Sequence, residues 1–432
     1  MRAWRIAAVV VAGAMIMAQG LSSADPRAAT VTAGRPGSHP APQAGTAVLT
    51  SRKVVIEDHF RKYVIDAQPP GAVVEKTLAD ILGNGKLDAV IGTEVSPYLP
   101  GSRDGIYWYQ YPASGPGGHW IRHTILAHGY AYEAMAAYDV NRDGKVDIVA
   151  SVDSNLYWFK NPGTTTGVWQ QTLIGPGYGE DTIVLGDVDG DGQMDVASNT
   201  GIYFQNNPYS WTRRQLSNSF RGAALLNIGS GKGRIDLVGN EDHAPWNIVW
   251  YENPRETGGN ARSGTWKVHT VGPGYHCTLG VSQCPNGAAA TMATAVLSGS
   301  GRMDIVVGQS EGSPPPAGGL KWFAPSANRT LPWTERTIDA TLTNTHDIKI
   351  GHINGDRFPD IMIGQQDQTV QKRVMVLYNN GKGTFTEQVL SHDATHNVAL
   401  GDINGNGRLS ILAGPHGYYG GSHPLETYIN RG

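Results

Sequence analysis

Cysteine is nearly absent from these 432 residues: Cys277 and Cys284 are the whole complement. Six residues separate them, which matches no zinc motif, and in an exported chain such a close pair predicts one local disulfide pinning one loop. Charge is also scarce. Charged residues make up 16% of the chain and the formal net charge is −3, so the basic surface of a dedicated nucleic-acid binder is missing. Past the N-terminus no stretch is long and apolar enough to span a membrane. No Ser nucleophile motif, phosphate loop or dinucleotide fingerprint occurs, which removes the commonest hydrolase, kinase and dehydrogenase chemistries.

What is present begins with an export signal. Arg2 and Arg5 precede an apolar run, Ile6 to Met17, too short to cross a bilayer, and Ser22 with Ala24 supplies the small-x-small cleavage pattern. Residues 1–24 are therefore read as a signal peptide and the protein as secreted. Residues 25–50, rich in Pro, Ala, Gly and Thr, read as a disordered leader, and 51–432 as the folded unit. The 56 Gly and 25 Pro suit a β-rich fold with many tight turns.

That unit is repetitive. An apolar strand, a Gly/Asp/Asn turn and a second apolar strand opening on Asp recur seven times, as in LADILGNGKLDAVIG from Leu78 and AAYDVNRDGKVDIVA from Ala136. The opening residues are Asp88, Asp147, Asp195, Asp236, Asp304, Asp360 and Ser410, spaced about 40 to 70 residues apart as four-stranded blades require. A third strand follows each, with aromatic and polar residues alternating, as in GIYWYQYP and NLYWFKNP. A fourth opens on Trp120, Trp169, Trp211, Trp266, Trp333 or Phe385; these aromatics are expected between blades rather than under sugars. The last repeat lacks a fourth strand, and Phe60 to Asp66 has the matching pattern. The fold class is thus all-β: a monomeric seven-bladed β-propeller whose N-terminal strand completes the C-terminal blade.

Two turns carry a cation-binding pattern. Asp139, Asn141, Asp143 and Asp147, and likewise Asp187, Asp189, Asp191 and Asp195, put oxygen side chains at alternate positions around a Gly bend, the donor set that calcium takes. Flanking strands and the lack of a twelfth-position Glu exclude an EF-hand. These turns resemble those of FG-GAP and VCBS repeats over about residues 55 to 432, and the resemblance implies structural calcium in blades 2 and 3. The other copies have lost oxygens and read as turns held by their own hydrogen bonds.

Chemistry is expected at the opposite face. Six residues before each turn, where a purely structural position would carry similar residues, stand Glu133, Asp181, His346 and His396, with Arg221 after allowing one insertion and Val74 and Ala290 in copies one and five. Loops at that face add Tyr130, Tyr132, Tyr178, His243, His416 and Tyr418. Such a polar funnel suits a saccharide. β-Elimination would take His346 or His396 as base, Tyr132 or a neighbour as acid, and Arg221 or a divalent metal such as zinc as electrophile. The W-[YF]-x-N-P phrase with its Trp-led strand resembles the propellers of aldos-2-ulose dehydratases and seven-bladed polysaccharide lyases, which implies a carbon–oxygen lyase. Two alternatives stand beside it: a lectin-like propeller without catalysis, and a glycoside hydrolase using Glu133 and Asp181.

Overall fold

The computed structural model describes residues 59–432 except 178–182, 199–200, 217–219, 227–233, 242–244, 276–289, 310–318, 367–368, 370, 419 and 422. The side chains of residues 132, 133, 220, 221, 226 and 290 are also outside the described set. The signal and leader segments, the cysteine pair, Tyr178, Asp181 and His243 therefore lie outside it.

The described strands form seven four-stranded antiparallel sheets. Six use consecutive strands; the seventh joins three C-terminal strands to the N-terminal one. The inner strands of blades 1 to 7 are Ala72–Ala79, Ala131–Tyr138, Ile183–Gly186, Phe220–Leu226, Ala290–Ala295, Thr345–Gly351 and Ala399–Gly401. Closure follows the expected pairing, with Phe60 opposite Asn430, Tyr63 opposite Thr427 and Asp66 opposite Leu425. The two chain ends thus share one sheet, and the last blade keeps no unpaired edge between them.

Burial grades outward. Second strands such as Asp147–Val152 and Asp360–Gln365 are buried along their length, whereas outer strands such as Ile121–Leu126 are mostly exposed. Trp120, Trp169, Trp266, Trp333 and Phe385 are buried as expected, and Trp211 is half-buried. Close approach between blades requires glycine at two points beside the later site. A Cβ on Gly308 would stand 2.9 Å from the Thr345 side chain, and one on Gly364 would stand 2.6 Å from that of Thr395.

The Asp that opens the second strand explains the repeat. It is buried, and in blades 1, 2, 3 and 6 it accepts backbone N–H groups from both sides. Asp147 takes those of Val140 (3.1 Å) and Asn161 (2.8 Å); Asp195 takes those of Val188 and Gln205; Asp360 takes those of Ile353 and Asn379. In the last blade Ser410 does the same for Asn430. The third-strand residue so held then reaches the preceding blade. Asn161 donates to the Ile81 carbonyl, Gln205 to Val140, Asn253 to Val188, Asn379 to Leu297 and Asn430 to Ile353. One turn residue is thereby gripped twice, its N–H by its own blade and its carbonyl by the next.

Removing this acceptor leaves buried donors unpaired, each worth about 1–3 kcal/mol. Asp360→Ala, which strands the N–H groups of Ile353, Asn354 and Asn379, should lower unfolding stability in urea by at least about 3 kcal/mol. A change below about 1 kcal/mol would show that the clasp is incidental.

Candidate functional site

Polar side chains from blades 6, 7 and 1 meet around the ring centre, at the end away from the Asp-rich turns. In blade 6, Thr345 pairs with Gln365 and Asp347 with Gly364, leaving His346 as an unpaired bulge. Bulges re-aim a side chain and recur beside functional sites. Blade 1 has the same bulge at Val74. His396 occupies the corresponding place in blade 7, just before its short inner strand.

The rings form a row. His346 and His396 lie 4.0 Å apart between centroids, His396 and His416 4.4 Å, and His416 stacks on Tyr418 at 5.7 Å. His396 Nδ1 bonds the Val74 carbonyl at 2.8 Å, and His416 Nε2 bonds Glu94 Oε1 at 2.6 Å. Tyr130, arriving from blade 2, hydrogen-bonds the same carboxylate. Tyr98, 59% exposed, meets Tyr418 edge-on at 6.3 Å, so an aromatic ledge leads from the surface to His416.

Burial sets the protonation. It holds the imidazoles of His346 and His396 well below the usual histidine range, helped by neighbouring imidazoles and Lys76, and pushes His416 down to about 3. It also pushes Glu94 up to about 7, against the Tyr130 hydrogen bond. Glu94 and His416 therefore share one proton around neutral pH: above 7 the imidazole N–H donates to a carboxylate, below it a carboxylic acid donates to the ring.

Beneath the row lies a charged layer. Asp347 accepts from Lys349 Nζ at 2.6 Å and from the Val398 N–H at 2.9 Å, crossing from blade 6 to blade 7. Glu75 accepts from the Asn397 amide, and Lys76 reaches the Asn397 oxygen at 3.5 Å. Burial raises the carboxyls of both Glu75 and Asp347, with Lys349 opposing. Glu75 Oε1 is buried and accepts no hydrogen bond among the described residues. At the corresponding rungs of the inner strand, blade 2 has Ala134 and Met135, and blade 4 has Arg221 and Ala223.

The sequence reading of this site is met unevenly. His346, His396, His416, Tyr418 and Tyr130 come together. His346 and His396, however, are 0% and 1% exposed, so they sit behind the face rather than lining an open mouth. Arg221 does not align with His346. It pairs with Asn240, four residues beyond Asp236, the rung held by Glu75 opposite Gly92 and by Asp347 opposite Gly364. The residue skipped in blade 4 is Gly222, because the bulge there has moved by one rung. Tyr132 and Glu133 lie in the inner strand of blade 2, with side chains outside the described set. Tyr275 is a packing residue whose hydroxyl donates to the Val307 and Gly319 carbonyls. Glu75, Lys76, Asp347, Lys349 and Asn397 were missed; their signal was charge inside otherwise apolar inner strands such as AVVEKTLA.

The turns at the far end differ from each other. Asp187, Asp189 and Asp195 offer ligand oxygens within 4.8 Å of one another, which fits a hard cation. The carboxylates of the blade 2 turn do not close to that distance. Asp139 there accepts the N–H groups of Asp143 and Gly144, and Lys160 stands 3.5 Å from Asp143. In blade 3 the guanidinium of Arg262 lies on Asp189 and, at 3.1 Å, on Asp191, competing for the same oxygens. The three histidines form a row rather than a convergent set: among the described residues, the group of three or more ligand atoms that does converge is the blade 3 one.

An FG-GAP-like repeat model matches residues 80–150, 139–198 and 352–413, and these segments are FG-GAP-like repeats. No curated protein matches the sequence. Among solved structures, an Agrocybe aegerita lectin that recognises non-reducing terminal N-acetylglucosamine aligns at 16% identity and a TM-score of 0.47, covering 82% of this chain and 85% of that one. AofleA from Arthrobotrys oligospora aligns at 10% identity and 0.42, covering 86% and 87%. The V. cholerae biofilm matrix protein Bap1 aligns at 13% and 0.38, covering 83% and 77%.

Two outcomes test these geometries. The imidazoles have folded-state pKa values below the unfolded value, so their stabilising contribution is present above about pH 6.5 and lost as pH falls. The raised carboxyls of Glu75, Asp347 and Glu94 run the other way, so the effect is read against a variant. Relative to wild type, His346→Gln should gain about 1.4 kcal/mol per pH unit in urea denaturation between pH 6.5 and 5. A flat difference would mean that the buried ring takes up its proton. For the blade 3 turn, added calcium should raise the melting temperature, Asp189→Ala should abolish the rise, and Arg262→Ala should shift it to lower calcium. No response to calcium or chelator would make this an Asp-rich turn and nothing more.

Proposed function

Taking a seven-bladed propeller carrying FG-GAP-like repeats as the scaffold, we propose that this secreted protein binds a saccharide at the polar sector of blades 6, 7 and 1. One observation carries the reading: the Tyr98–Tyr418–His416 ledge ends on Glu94, a half-buried carboxylate already held by His416 and Tyr130. Sugars have apolar ring faces that pack on aromatic rings and hydroxyls that bond strongly to an oriented carboxylate. Among the described residues the sector is single. Its residues differ from those of the remaining blades, which supports one central ligand rather than a site repeated at each blade junction.

A second reading, β-elimination, draws on the proton shared by Glu94 and His416. A carboxyl near 7 beside a neutral imidazole suits removal of a carbon-bound proton, and Tyr130, hydrogen-bonded to the same carboxylate, is the nearby hydroxyl for a leaving oxygen. His346 and His396 lie behind this pair. The blade 3 turn enters neither reading except as a brace.

A glycan array followed by calorimetric titration tests the proposal. Tyr418→Ala and Glu94→Gln should each weaken the best saccharide at least about tenfold, the scale of one lost charged hydrogen bond or aromatic contact. His123→Ala and His269→Ala, whose rings stack on Trp108 and Trp250 in outer strands, should not. Equal effects from both pairs, or no saccharide bound, would remove the reading. Ultraviolet absorbance of unsaturated products from uronic-acid polysaccharides decides whether elimination accompanies binding.

A further inference from the structure

A second cleft, of about 630 Å³, lies on the same face between blades 7 and 1. Three connections build it: the segment entering blade 1, the loop between its second and third strands, and the loop between the last two strands of the chain. They are interlocked. Arg103 donates its backbone N–H to Pro70 at 2.8 Å, and its carbonyl accepts from Thr93 Oγ1 at 2.9 Å. Gly71 packs so tightly beneath that a Cβ there would stand 2.2 Å from the Arg103 oxygen. Ser96 bonds the Tyr418 carbonyl, joining the third loop to the second. The walls are thus preformed.

The lining is polar and cationic. Arg103, Arg122 and His423 line it together with Tyr107, Thr124 and Gln68, and among the described residues no Asp or Glu does. Burial pushes the Tyr107 hydroxyl up, both guanidiniums oppose it and the Asp104 carboxylate adds to it, so the two arginines lie near the same residue with one acidic neighbour. Arg122 is tied to Asp66 at 3.1 Å. Arg103 is exposed, and its guanidinium has no ion pair or hydrogen bond among the described residues. A surface arginine usually floats; this one hangs from a backbone fixed on both sides, above a cleft of ligand size. Gly421 and His423 of the cleft belong to the loop that carries Tyr418 to the central site.

We propose that this cleft binds the anionic group of an acidic saccharide, a carboxylate or sulfate held by the Arg103 fork, with the sugar hydroxyls toward Thr124 and Gln68. Guanidinium pairs both oxyanions in bidentate fashion. That the ligand is a saccharide rests on the reading above; the cleft and its charge do not.

The test is calorimetric titration of the full chain at low salt with digalacturonate, a sulfated chondroitin disaccharide and neutral cellobiose, on wild type and Arg103→Ala. The variant removes an exposed, unpaired head and keeps the backbone clamp. An acidic probe should bind wild type, weaken at least about tenfold in Arg103→Ala, and weaken again at high salt, while any cellobiose affinity stays unchanged in the variant. The tighter acidic probe names the oxyanion. Equal affinity of wild type and variant for the acidic probes would overturn the cleft proposal. So would cellobiose binding as tightly as the acidic probes, and that result would leave the central saccharide reading standing. Failure of all three probes to bind would overturn both.

Discussion

A buried carboxylate that accepts backbone N–H groups from two directions is the interaction on which this propeller depends. A blade alone is a small twisted sheet with two apolar faces. What sets its distance and tilt from the next is the turn residue, Ile81, Val140, Val188, Leu297 or Ile353, held through its N–H by one blade. Its carbonyl is held by the next, through Asn161, Gln205, Asn253, Asn379 or Asn430. Each such bond is modest, but an unsatisfied group in that position is costly, so the clasp is restrictive in geometry. The W-[YF]-x-N-P phrase is therefore an interblade stitch. In blade 1, where Tyr111 replaces the Asn, the Leu87 N–H takes the Ile403 carbonyl instead.

Because the stitching is concentrated at the turn end, the opposite end of the inner strands is free to vary. There Gly308 and Gly364 let Thr345 and Thr395 come close, and the residue after each, His346 and His396, is brought into contact. A buried ion pair such as Asp347–Lys349 is a poor source of stability, since desolvation offsets the attraction. Its presence with Glu75 and Lys76 in strands that are apolar elsewhere points to selection for something other than stability. The low-dielectric setting keeps the imidazoles neutral and Glu94 close to its titration point, and the aromatic ledge connects that pair to solvent.

Much of the fold was legible in the sequence, because seven copies of each strand phrase, the seventh outer one displaced to Phe60, allow little else. Residue positions within the site were less legible. Counting back from the turns found His346 and His396, yet it misplaced Arg221, because a bulge slides by a rung without leaving any mark in composition. It also passed over Glu75 and Lys76, since a charge in a strand looks like a solvent-facing residue until the neighbouring blade covers it. The Asp-rich turns show the opposite limit. Blades 2 and 3 carry nearly the same motif, but only in blade 3 do the carboxylates converge, with Arg262 from the following blade upon them. Nothing local in the blade 2 turn records the Lys160 that faces Asp143.

The central claim is that one sector of the ring, and not each blade in turn, receives a saccharide. Photo-crosslinking measures this directly. An oligosaccharide chosen by array and carrying a diazirine is irradiated with the folded chain, and the labelled peptides are mapped by mass spectrometry. The account predicts labels confined to the segments around Glu94 to Tyr98, Tyr130, and His416 to Tyr418. Labels distributed over the equivalent loops of all seven blades, or along the outer strands, would contradict it.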